Sequence, residues 1–139
     1  VLETFRAIVE MRGYKEAPVS TLLLAGAQPS LVFQKQNNTF AQRHHMRIWQ
    51  RSGSFLGKPV WLAAATHDNG IAFSEEQYTF THSIDPKIDR ERAKVVSDLL
   101  FTGRVRSLAL APRPAVPHDA QTATDNAIET DGKMAIVPF

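Results

Sequence analysis

Residues 44–50 read His-His-Met-Arg-Ile-Trp-Gln, and residues 60–66 read Val-Trp-Leu-Ala-Ala-Ala-Thr. The first stretch alternates with the two-residue period of a strand. Met46 and Ile48 share one face, and His45, Arg47 and Trp49 share the other. The second stretch has no polar residue before Thr66, which predicts a strand buried on both faces. Gly53, Gly57 and Pro59 break the pattern between the two. In the second strand Trp61, Ala63, Ala65 and His67 fall on one face. Pairing as a hairpin is expected to bring that set to the side of His45, Arg47 and Trp49. The small Ala63 and Ala65 then leave room above the sheet for a ligand or a helix.

Outward from this centre, His67-Asp68-Asn69-Gly70 reads as a turn, with a strand resuming at Ile71 to Phe73. Leu31-Val32-Phe33 reads as a strand on the amino-terminal side, separated by an Asn37-Asn38 loop. Val1 to Arg12 reads as a helix, because Leu2, Phe5, Ile8 and Val9 fall on one face of a 3.6-residue period and Gly13 ends it. A second helix is expected near Pro86, with Asp85 as its N-cap and an apolar face of Ile88, Val95, Val96, Leu99 and Leu100, stopping at Gly103. Val105 to Leu110 is a further strand. Pro112, Pro114 and Pro117 stiffen a loop that also holds His118. Asp131-Gly132 signals a hairpin between residues 127–129 and 134–137. The pattern is α+β: a mainly antiparallel sheet with two main helices packed on one face.

The 139 residues suit a single domain spanning 1–139, and a chain 43% hydrophobic and 22% charged can bury a core rather than remain disordered. Without cysteine there is no disulfide framework, thiolate zinc site or cysteine nucleophile. Sixteen basic and fourteen acidic residues give a formal charge of only +2, spread along the chain. No nucleic-acid partner is therefore expected. The longest apolar runs are too short to cross a bilayer, and no signal peptide is evident. The chain opens on Val1, so a processed product or a piece excised from a longer protein is expected.

Polar side chains concentrate in three stretches: 43–49, 61–68 and 81–92. In one reading, Arg43, Arg47 and the histidines hold a phosphate or other anion, helped by the helix start near Pro86. Asp85 opposes this by its own charge. In a second, His67, Asp68, His82 and Asp85 or a histidine of the 44–45 pair bind a divalent metal, with an open position to activate water. The spacing matches no established metal motif. In a third, the same residues are structural: Asp85 caps, Arg92 pairs with Asp89 or Asp68, and Trp49 and Trp61 cover the sheet. No G-x-S-x-G elbow, P-loop or G-x-G-x-x-G is present.

The same stretches resemble the LssY-type C-terminal domain of bacteria. The likeness rests on Arg-His-His-Met-Arg-Ile-Trp at 43–49, Pro-Val-Trp-Leu-Ala-Ala-Ala-Thr-His-Asp at 59–68, Thr-His-Ser-Ile-Asp-Pro-Lys-Ile-Asp-Arg-Glu-Arg at 81–92, and Thr-Asp-Gly-Lys-Met-Ala-Ile-Val at 130–137. It covers most of the chain from residue 40 on and the opening helix more loosely. Ser83 departs from it, since many relatives are expected to carry a second histidine there. The resemblance implies a domain of unknown function, found alone or behind membrane modules and often labelled as a phosphatase. It implies that His44, His45, Arg47, Trp49, Trp61, His67, Asp68, His82, Asp85, Asp89 and Arg92 share a site or a polar core.

The expectation is therefore a soluble accessory domain attached to or near the bacterial membrane, alongside a membrane-embedded partner module. It is expected to bind a small anionic or phosphorylated ligand. The candidate ligand-binding residues are His45, Arg47, Trp49, His67, Asp68, His82, Asp85 and Arg92. The alternative is a metal-dependent phosphoesterase. A protein–protein module with exposed tryptophans is the third.

Overall fold

A computed structural model describes residues 2–18, 23–37, 42–74, 78–105, 107–113 and 126–139. His118, Pro114 and Pro117 lie outside these residues. The element order is α1 (Leu2–Met11), β1 (Lys15–Glu16), β2 (Leu31–Gln36), β3 (Arg43–Phe55), β4 (Lys58–Ser74), β5 (Thr79–Ile84), α2 (Ile88–Phe101), β6 (Ala109–Pro112) and β7 (Lys133–Ile136). Strands β1 to β5 form one antiparallel sheet in sequence order, and β6 pairs with β7 in a second, two-stranded sheet. The fold is α+β, as the hydrophobic periods predict.

Register decides which side chains meet. Met46 pairs with Ala65, Ile48 with Ala63 and Phe33 with Met46. These residues share one face of the sheet, on which Ile8, Val9, Leu99 and Val105 complete the core with Phe33, Met46, Ile48, Leu31 and Tyr14. Phe33 is fully buried and Met46 is 1% exposed. Apolar Met46 and Ile48 take the core side, and the small Ala65 admits α2 above them. His45, Arg47 and Trp49 therefore pair with Thr66, Ala64 and Leu62 on the opposite face, and not with the face of Trp61, Ala63, Ala65 and His67. That outer face buries Val32 and Trp49, whose indole N–H donates to the Ala27 carbonyl at 3.0 Å.

Other local expectations change as well. His67 to Gly70 is no turn: β4 runs unbroken for 17 residues, with a bulge between Asp68 and Gly70. A Cβ on Gly70 would meet the Ser83 hydroxyl at 3.3 Å, so the bare glycine lets β5 approach. Nor is 60–66 buried on both faces: Leu62 is 39% exposed, and Ala63 and Ala64 are exposed too. The Asp131-Gly132 turn does not join 127–129 to 134–137, because β7 pairs with β6 and Glu129 instead bridges Lys87. Among the described residues no helix is long and apolar enough to cross a membrane.

Helix α1 follows its apolar stripe, and Gly13, at φ 84°, closes it by donating to the Glu10 carbonyl at 2.9 Å. Helix α2 presents Ile88, Glu91, Val95 and Leu99 at helical spacing toward the sheet, so a carboxylate stands in an apolar row. The N-cap is Lys87, with no side-chain cap. Asp85 instead accepts the Lys87 N–H at 2.9 Å, two residues too early to cap the helix itself.

Candidate functional site

The α2 start is fixed by backbone bonds before any side chain acts. The Asp85 N–H donates to the His67 carbonyl at 2.8 Å, tying the end of β5 to β4. The Pro86 carbonyl accepts from Ile88 and from Glu129, both at 2.9 Å. These bonds lay the first turns of α2 across the paired residues His44 and His67. The two imidazoles stack with centroids 4.5 Å apart and planes 18° apart. Asn37 Nδ2 lies 3.4 Å from His67 Nε2.

Glu91 comes down from the helix onto this stack. It is 4% exposed, and its two oxygens lie 2.9 and 2.8 Å from His44 Nδ1. Burial pushes the Glu91 carboxyl up to about 7, against the pull of His67 and Lys94. Burial also pushes His44 down, with Lys94 and Lys35 adding to the effect. Both directions favour one shared proton between Oε and Nδ1 over a buried ion pair. Lys87, Arg90, Lys94 and Asp85 join Glu91 and the two imidazoles around a cleft of about 190 Å³.

The cleft thus gathers Lys87, Arg90 and Lys94, the last also paired with Asp98, against two carboxyls, one of which stays protonated into the neutral range. Its chemistry suits an anion: donors on the rim, imidazoles on the floor, and a carboxyl able to give or take a proton.

The outer face carries a second polar cluster. His45 Nε2 donates to Asp68 Oδ2 at 2.9 Å, and Asp68 is 5% exposed. Arg43 Nη2 lies 2.5 Å from His82 Nε2. A guanidinium can only donate, so His82 Nε2 accepts and its proton sits on Nδ1, 3.9 Å from Asp68. Arg47 donates to the Thr66 hydroxyl at 3.2 Å, and burial pushes its guanidinium down.

Of the eight residues expected to converge, only His67 and Asp85 line the cleft. His45, Arg47, Asp68, His82 and the buried Trp49 lie on the outer face, one residue of strand parity away. Arg92 belongs to neither cluster. It clamps Asp131 with two bonds of 2.8 and 2.9 Å, donates to the Lys133 carbonyl at 2.7 Å, and reaches Asp89 at 3.2 Å. Lys87, Arg90, Glu91 and Lys94 were not among the expected ligand-binding residues. Glu91 had a readable signal, since it stands three residues after Ile88 in the apolar stripe of α2. Among the described residues no three His, Asp or Glu side chains are grouped to hold a metal ion.

An antiparallel meander with helices on one face and a basic, histidine-floored cleft at a helix start define a small α+β domain. The chain belongs to the LssY C-terminus family, whose model matches residues 1–134. No curated protein and no solved structure matches it.

Proposed function

We propose that this domain is an accessory binding module for a small anionic, phosphate-bearing ligand, held in the cleft at the start of α2. One observation carries the reading: Lys87, Arg90 and Lys94 converge on a cleft floored by the His44–His67 stack, at a helix end that no side chain caps. Arginine and lysine supply charge-assisted donors, and the helix start adds its positive end. Asp85 sits at the same mouth but already accepts the Lys87 N–H, which ties one of its oxygens to the turn.

The test is a titration with inorganic phosphate and with a simple phosphomonoester, followed by the NMR signals of the His44 and His67 rings. Binding should move both sets of signals. The double change Lys87→Ala with Arg90→Ala should weaken binding about tenfold or more. Both side chains are exposed, so the variant keeps the core. Ring signals unmoved at millimolar ligand overturn the proposal.

A further inference from the structure

Beyond the Gln50–Trp61 pair, β3 and β4 run on as a two-stranded finger in which every residue from 51 to 59 is exposed. At its tip Phe55 is 60% exposed and Leu56 is 86% exposed. The turn Leu56-Gly57 has φ of 51° and 74°. Asparagine or glycine is the usual residue in such a left-handed turn, because a branched side chain is strained there. Leu56 accepts that strain while contacting nothing that buries it. The finger's charges are Arg51 and Lys58, and residues 51–59 contain no acid. Neither cation forms an ion pair or side-chain hydrogen bond among the described residues.

We infer that this finger docks the domain on an anionic phospholipid surface. Phe55 and Leu56 enter the interfacial layer, and Arg51 and Lys58 meet the headgroups behind them. An aromatic and an aliphatic residue at a tip, flanked by cations on flexible stems, suit the graded polarity of a bilayer edge. The sign of the charge selects an anionic leaflet. A protein partner fits less well. A stable protein interface buries about 800 Å² on each side, whereas this tip offers two large side chains. A bilayer needs no complementary shape.

The opposite end of β4 provides an internal control. There Phe73, Tyr78 and Phe80 are exposed, at 48%, 86% and 75%, but residues 71–80 contain no lysine or arginine. Because β4 runs the length of the sheet, that end points away from the finger and cannot touch the same flat surface.

Co-sedimentation with vesicles tests the inference. One set is phosphatidylcholine alone, and the other an equimolar mixture with phosphatidylglycerol. The protein should partition onto the mixed vesicles, less so onto neutral ones, and release in high salt. Phe55→Ser with Leu56→Ser should lower partitioning about tenfold or more, and Arg51→Glu with Lys58→Glu should do the same on anionic vesicles. Both variants should keep the wild-type circular dichroism and melting temperature, since every residue they change is exposed. Tyr78→Ser with Phe80→Ser should bind like wild type. Three results would each overturn the inference: no partitioning, partitioning unchanged in both finger variants, or partitioning lost only when Tyr78 and Phe80 change.

Discussion

Burial lifts the Glu91 carboxyl from its ordinary 4.5 to about 7, so as pH rises its proton leaves in the range where a free histidine would lose one. An acid whose folded value is raised favours the folded state at low pH. The contribution is fully present below 4.5 and is lost as pH rises through 7. The shift corresponds to about 3 kcal/mol. His44 acts in the other direction, because its lowered value favours the folded state above the ordinary histidine range. Glu91→Gln removes the first effect. Urea denaturation at about pH 5 and about pH 8 should show wild type losing about 2.5 kcal/mol relative to the variant across that interval. Equal slopes for the two proteins would show that the carboxyl ionises freely. Under the proposed function, phosphate affinity should fall as pH passes 7, and Glu91→Gln should flatten that profile.

Helix α2 does three jobs with different faces. One covers the sheet, one lines the cleft, and one grips the small β6–β7 sheet through Arg92. Asp98, 5% exposed, ties it to the end of α1. It accepts from Arg12 at 3.0 and 3.1 Å and from Tyr14 at 3.1 Å, and it pairs with Lys94. Burial raises the Asp98 carboxyl, but the bonds from Lys94, Arg12 and Tyr14 outweigh it and hold the group below the ordinary value. Asp98→Ala should cost about 3 kcal/mol by leaving these partners uncompensated, read by urea denaturation. Arg92→Ala should speed hydrogen exchange at the amides of Lys133 to Ile136 while leaving β3 unchanged; uniform protection would show that the clamp is dispensable. Both helices were legible from their apolar periods, because burial along a helix leaves its spacing in the chain. The burial of Asp98 was not, since a charged residue in a stripe looks solvated until its partners arrive from distant positions.

At the scale of the molecule, the sheet sorts histidines by parity. His44 and His67 go to the helix side, and His45 and His82 to the other. The alternation itself was readable in residues 43–49, but its match to β4 was not. A hairpin's register depends on its turn and bulges, and the irregularity between Gln50 and Ser54 shifts it. Following the apolar pairs would have recovered it, since Met46 and Ile48 belong with Ala65 and Ala63. Those pairs close around Phe33, and Phe33→Ala should cost about 3–5 kcal/mol, measured as a lowered urea midpoint. The order β1 to β5 also has a kinetic consequence. Each strand meets its successor in the chain, so the sheet closes only short loops as it assembles, and it can form early. The Arg12–Asp98 pair, 86 positions apart, must wait for α2 to return over that surface. Pulse-labelled refolding should therefore protect the β3 and β4 amides before those of α1, which leaves the joining of the two helices as the last contact to form; simultaneous protection of all three would overturn that order.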